Sequence, residues 1–217
     1  MESLNDLRGI DRLYKIKAKE SFKARFDLLL FKHIIEGDNN PITVSELEAF
    51  KIEENEVFKK YINVYWQKGR RDKVDKIIID EIYIAMMNWK KEQKDSIDNL
   101  KNHYVKHTFL NVFPFEEFIE FVRAKRECGY CHITEEEIQA LIDAQQLNAK
   151  KDTRGLTLEI DRKKPNHEYT MGNCVWCCYW CNNAKTDEFS YEEFKKIGEV
   201  IKSIWKDRIS RKTGLSV

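Results

Sequence analysis

The chain lacks a long apolar run, a surplus of either charge, an internal repeat and any low-complexity segment. No stretch approaches the ~20 apolar residues of a membrane-spanning helix, and mean hydropathy is -0.63. The first residues, Met-Glu-Ser-Leu-Asn-Asp, lack the apolar core of an export signal. A soluble, cytoplasmic protein is therefore expected, with no membrane partner. Lys and Arg number 38 against 37 Asp and Glu, for a net charge of +1. Overall charge thus gives no sign of nucleic-acid binding, and any basic face has to be local. Without export, the six cysteines are expected as reduced thiols, whose pairing in sequence favours metal over disulfide.

At 217 residues the chain suffices for one good-sized domain or two small ones. Residues 1–125 read as a helical domain. Leu7, Ile10, Leu13, Tyr14 and Ile16 recur at helical spacing from about Ser3 to Glu36. Gly37-Asp-Asn-Asn-Pro41 breaks that pattern. Thr43 followed by Glu46 opens a helix expected to run towards Trp66. Gly69 punctuates, and one long charged helix is expected from about Asp72 to His107. Pro114 starts another, Phe115 to Lys125. Aromatics at helical positions (Tyr61, Tyr65, Trp66, Trp89) read as packing residues.

The character changes over residues 126–217. Thr134 caps a helix expected to reach about Ala149. Leu156-Thr-Leu-Glu-Ile160 alternates like a strand, and Asn173 to Cys177 reads as a second. Ser190-Tyr-Glu-Glu193 is a capping box for a last helix to about Ile209.

Cys128-Gly-Tyr-Cys131 and Cys178-Tyr-Trp-Cys181 stand 46 residues apart. Two intervening residues let both sulfurs of each knuckle reach one ion at about 2.3 Å, and two knuckles close a tetrahedral zinc site. Such a site is structural, and its binding energy is folding energy. Cys174-Val-Trp-Cys177 has the same spacing, but strand alternation would turn those two thiols to opposite faces. Cys174 and Cys177 are expected to pack as small apolar residues.

Cys-Gly-Tyr-Cys, Leu-Glu-Ile-Asp-Arg, Tyr-Thr-Met-Gly-Asn and Cys-Tyr-Trp-Cys-Asn-Asn-Ala-Lys together resemble an HNH endonuclease with a zinc-stapled ββα-metal (His-Me finger) core. The resemblance covers about residues 128–187 and leaves the helical part unmatched. It implies a mainly α protein with a small ββα-metal zinc module: a helical N-terminal part, a treble-clef-like HNH core and a C-terminal helix. It implies hydrolysis of phosphodiester bonds in DNA. Asp161 matches the family's carboxylate and Asn182 the residue that completes the site for a catalytic Mg2+ or Mn2+; Asn173 matches the asparagine that ties the loop between the strands. Oxygen donors suit a magnesium-like ion, while sulfur keeps zinc in its own site. Lys163 and Lys185, with Arg162, would form a phosphate track. Asn182 has a second reading as a helix N-cap, with Asn183 as fallback ligand or cap. Trp176 and Trp180 are expected in the core rather than stacked on a base.

The departure from the family is Arg162, which stands where its general-base histidine is usual. Arginine stays protonated and cannot accept the proton, though its planar donors suit a phosphate. His132 and His167 are then the candidate bases, followed by Tyr130 and Tyr169. A restriction or anti-phage defence system, a phage and a mobile element are equally compatible contexts. DNA, a second copy of the chain or a defence-system partner would meet the helical part. The second reading, a non-catalytic zinc module that binds nucleic acid or protein, draws on the missing histidine.

Overall fold

A computed structural model of the protein describes residues 6–54, 76–148, 155–186 and 188–212. The chain divides into two compact units: Met1–Phe115 with His167–Tyr169, and Glu116–Asn166 with Thr170–Val217. The Gly69 break, the helix start near Asp72 and the aromatics Tyr61, Tyr65 and Trp66 lie outside the described residues. Among those described, no helix is long and apolar enough to cross a membrane.

The first unit is organised by α1 (Leu7–Glu36), which Asp6 caps by accepting the Arg8 N–H. Ile10, Tyr14, Ala18, Phe22 and Phe26, four apart, are all buried, the stripe expected of one helical face. Helix α2 (Val44–Ala49) opens on a complete capping box between Thr43 and Glu46. It stops well short of the expected extension, because Phe50 turns to extended backbone (φ -75, ψ 120) and buries itself with Ile52. The expected long helix is interrupted as well. Helix α3 (Lys76–Glu92) and α4 (Lys94–His103) meet at Gln93, one π-helical turn follows (Tyr104–Thr108), and α5 (Phe109–Val112) ends the run. The widened turn leaves both Tyr104 and Thr108 buried.

A polar cluster sits inside this apolar unit. The Arg25 guanidinium bonds Glu168 at 2.8 Å, with both side chains under a tenth exposed, and donates to the Leu47 carbonyl at 3.2 Å. Tyr104 donates its hydroxyl to the other Glu168 oxygen. Burial, then the Glu168 charge, holds that phenol well above its usual range, so it remains a donor. Nearby, Tyr169 accepts at Oη from Lys17 (3.3 Å) and donates its backbone N–H to Ser21 Oγ (2.9 Å).

The second unit begins with the rest of α6 (Phe115–Arg123). Helix α7 (Glu135–Asp143) carries the Thr134–Glu137 capping box and ends at Ala144, short of Ala149, where Gln145 adopts φ 56. Strands β1 (Glu159–Arg162) and β2 (Cys174–Cys177) pair antiparallel, Glu159 with Cys177 and Asp161 with Val175. Pairing starts later than the alternation from Leu156 predicts, because the Leu158 N–H is taken by the Glu135 carboxylate at 2.7 Å. Helix α8 (Tyr179–Lys185) follows β2 at once, and α9 (Tyr191–Lys212) closes the chain. Gly198 lets α9 lie against the first cysteine knuckle: a Cβ there would come within 2.4 Å of the Tyr130 carbonyl oxygen. Trp176 is buried, stacked on Phe121 at 5.4 Å and under the Arg126 guanidinium at 4.6 Å.

Removing one member of a buried ion pair leaves the other charge uncompensated, at a cost of about 3–5 kcal/mol. Glu168→Gln should therefore lower the unfolding free energy of the full chain by about 3 kcal/mol in urea melts. A change within the ~0.5 kcal/mol of an ordinary surface substitution would show that the pair contributes nothing.

Candidate metal-binding and catalytic site

Cys128, Cys131, Cys178 and Cys181 are buried and their sulfurs all lie within 4.8 Å of one another. Cys131 and Cys178 Sγ are 3.7 Å apart, close to the ~3.8 Å edge of a tetrahedron with 2.3 Å zinc–sulfur bonds. Two local structures produce this arrangement. The first knuckle is a tight loop between the bridged residues Glu127 and Thr134; the His132 N–H bonds the Cys128 carbonyl at 2.8 Å, and His132 adopts φ 59. The second knuckle is a helix start: Cys178 is the N-cap of α8, and its sulfur accepts from the Cys181 N–H at 3.4 Å. Contact with Cys131 first, then Cys177, Cys178 and Cys181, holds the Cys128 thiol far below its usual range. Contact with Cys128 in turn pushes the thiols of Cys178 and Cys181 up. One thiolate is thus favoured at its neighbours' expense, and ionising all four needs a cation among them. The four can hold a structural metal, and an all-sulfur tetrahedral set suits zinc. Cys177 donates to the Cys178 carbonyl at 3.4 Å. Cys174 is buried with it in β2.

The cap that closes the second knuckle also aims α8. Asn182 and Lys185 are one turn apart on this helix, and both reach β1. Asn182 Nδ2 donates to Glu159 Oε2 at 2.9 Å. Lys185 Nζ lies 3.2 Å from Asp161 Oδ2 and donates to the Arg162 carbonyl at 2.8 Å. Glu159 and Asp161, two residues apart, share one face of the strand. An acid pair on the strand therefore opposes an amide and an ammonium on the helix. Asn182 lies inside α8, since Cys178 supplies the cap, and Asn183 donates to the Tyr179 carbonyl at 2.6 Å. Donation through Nδ2 turns the Asn182 Oδ1 end into the available acceptor. Glu159 had no place in the sequence reading; its signal was the i, i+2 relation to Asp161.

Tyr130 adds a second contact to Asp161 Oδ2 at 3.4 Å. Burial, then the Asp161 charge, raises its phenol above the usual range. It is placed as a donor, which removes it from the candidate bases. Lys185 is only 3 % exposed, so it faces Asp161 rather than open solvent. Alternation turns Arg162 to the strand face opposite Asp161. Asn173 ties the turn between the strands: its Oδ1 accepts from the Lys164 N–H at 2.8 Å, and its Nδ2 donates to the Lys164 carbonyl at 3.3 Å. Lys163 donates to the Gly172 carbonyl at 3.0 Å and lies 5.1 Å from the centroid of the Tyr191 ring.

The two histidines are placed differently. His132 is half-exposed between two acids, with Nδ1 3.4 Å from Glu127 and Nε2 3.4 Å from Glu199. His167 belongs to the first unit, where Nδ1 lies 3.2 Å from Glu53. Tyr169 packs in that same unit.

No protein-family model and no curated protein matches the chain. A solved structure, that of the rare-cutting HNH restriction endonuclease PacI, is 28% identical over a match that covers 44% of this chain and 66% of that one, with a TM-score of 0.37. The chain thus spans less than two thirds of that structure's length.

If the four cysteines hold zinc, Cys181→Ser removes a ligand together with folding energy. Structural zinc contributes about 10–16 kcal/mol in small modules, as much as the whole ~5–15 kcal/mol stability of a typical domain. The expected result is a chain without stoichiometric zinc and with the second unit unfolded, seen by metal analysis and near-UV circular dichroism. Asp161→Ala should keep both zinc and fold. Unchanged zinc content and thermal midpoint in Cys181→Ser would overturn the assignment.

Proposed function

We propose that the chain is a metal-dependent DNA endonuclease of the HNH type. The observation that carries this reading is the opposition of Glu159 and Asp161 on β1 to Asn182 and Lys185 on α8. A bare zinc fold needs no such constellation, since sulfur alone staples it.

The donor set fits a hard divalent cation such as Mg2+ or Mn2+. Among the described residues the Tyr130 and Lys185 contacts to Asp161 both go to Oδ2, and the bond from Asn182 to Glu159 uses its amide nitrogen, not its oxygen. Asp161 and Asn182 would hold the ion, which supplies charge neutralisation at the phosphate and a more acidic bound water. Glu159 positions Asn182 by accepting its Nδ2–H. Tyr130 and Lys185 orient the Asp161 carboxylate; the buried Lys185 is spent on that carboxylate and on the Arg162 carbonyl. Arg162 and Lys163, at the strand end, would contact the flanking backbone. Proton acceptance we assign to Glu159, the carboxylate that shares the Asp161 face. The exposed His132 is the imidazole to compare with it, whereas Arg162 and the buried Tyr130 phenol hold their protons.

Supercoiled plasmid with Mg2+ or Mn2+ provides the test. Wild type should nick or linearise it, and Asp161→Ala should be slower by about 10²–10³, the order for losing a stabiliser of transition-state charge. Glu159→Gln should cost at least the ~10–100-fold of a lost second-sphere partner, and His132→Ala should cost less. Equal cleavage by Asp161→Ala would sink the proposal. DNA binding without cleavage across several ions would favour the non-catalytic zinc module.

A further inference from the structure

The end of α1 and the start of α2 bring a second set of ligand-type side chains together, wholly within the first unit. Helix α1 stops in a Schellman turn: the Gly37 N–H bonds the Ile34 carbonyl at 3.2 Å and the Asp38 N–H bonds the His33 carbonyl at 2.9 Å. Gly37 makes the turn possible at φ 71. That motif ordinarily packs two apolar residues where this chain has His33 and Asp38. Across from them, the capping box of α2 fixes Glu46.

Each carboxylate spends one oxygen on the backbone and turns the other to His33. Asp38 Oδ1 accepts from the Asn40 N–H at 2.9 Å, while Oδ2 lies 3.6 Å from His33 Nδ1. Glu46 Oε2 accepts from the Thr43 N–H at 2.7 Å, while Oε1 lies 3.6 Å from His33 Nε2. One ligand atom from each residue lies within 4.8 Å of the others. His33 is 5 % exposed, and its Nδ1 has no hydrogen-bond partner among the described residues. A separation of 3.6 Å is too long for a hydrogen bond. One ring nitrogen faces one ion, so only the Nδ1–Asp38 separation, beside the unpartnered nitrogen, counts as an edge of its shell, near the ~3.4 Å of a tetrahedron with 2.0–2.2 Å bonds; Glu46 joins through the 4.8 Å grouping of the three residues. Asp38 and Glu46 remain about two-fifths exposed, which leaves an ion a way in, and the C-terminal end of α1 favours positive charge.

We propose that His33, Asp38 and Glu46 bind a divalent cation of the zinc class, with water completing its shell. One imidazole and two carboxylates make a nitrogen–oxygen donor set suited to such an ion. The site is separate from the sulfur cluster and from Asp161, and does not depend on the nuclease reading.

The double variant Asp38→Asn, Glu46→Gln tests it in the full chain. Asparagine retains the Asp38 turn acceptor, and glutamine retains the capping box, so both helix ends are kept while the charged ligands go. After equilibration with Zn2+ and gel filtration, the variant should carry one fewer zinc per chain than wild type, and Asp161→Ala should not lose that equivalent. X-ray absorption of fully loaded wild type should show imidazole scattering that mild chelation removes, leaving an all-sulfur spectrum. Equal zinc content in wild type and the double variant would overturn the proposal. So would a spectrum without imidazole at full loading, a readout that needs no variant to fold.

Discussion

Crowding of four buried cysteine sulfurs is the constraint on which the second unit depends. Their sulfurs lie within 4.8 Å of one another, and the Cys128 thiolate is favoured only while its neighbours keep their protons. A dication among them would turn that crowding into the strongest bond set in the unit. The sheet has two strands of four residues each, and an isolated hairpin of that kind is marginal in water. The cysteine cluster joins the loop beside β2 to the first turn of α8, and so fixes the angle at which the helix meets the strands.

From that angle the polar site follows. Side chains alternate along a strand and recur every three to four residues along a helix. Glu159 and Asp161 thus match Asn182 and Lys185 pairwise, amide to one acid and ammonium to the other. Lys185 faces the acid pair and orients Asp161. Tyr130 and Lys185 both address the same Asp161 oxygen. The hydrogen bonds hold both carboxylates in place from the helix side.

The helix starts were legible because capping is local. Thr43, Thr134 and Ser190 each meet a glutamate three residues on, and each begins a helix. Helix ends were less so. Stopping α2 at Ala49 depends on burying Phe50 and Ile52, and the break at Gln93 with the π turn at Tyr104 depends on what those helices pack against. Glu168, unremarkable in a polar loop sequence, became the partner of Arg25 and Tyr104 only through contacts across more than sixty residues.

The sequence alone determined which residue types stand where: paired cysteines at knuckle spacing, an acid between them, and an asparagine after the last one. Those are properties of residue type and separation, and they survive without coordinates. Tertiary structure decided how each side chain is used. It turned Lys185 inward onto Asp161, made Tyr130 a donor, gave Glu159 the Asn182 amide and set His167 against Glu53 in the first unit. Hydrogen-bond direction, burial and charge pairing depend on distances between segments far apart in the chain, and only the folded molecule specifies those.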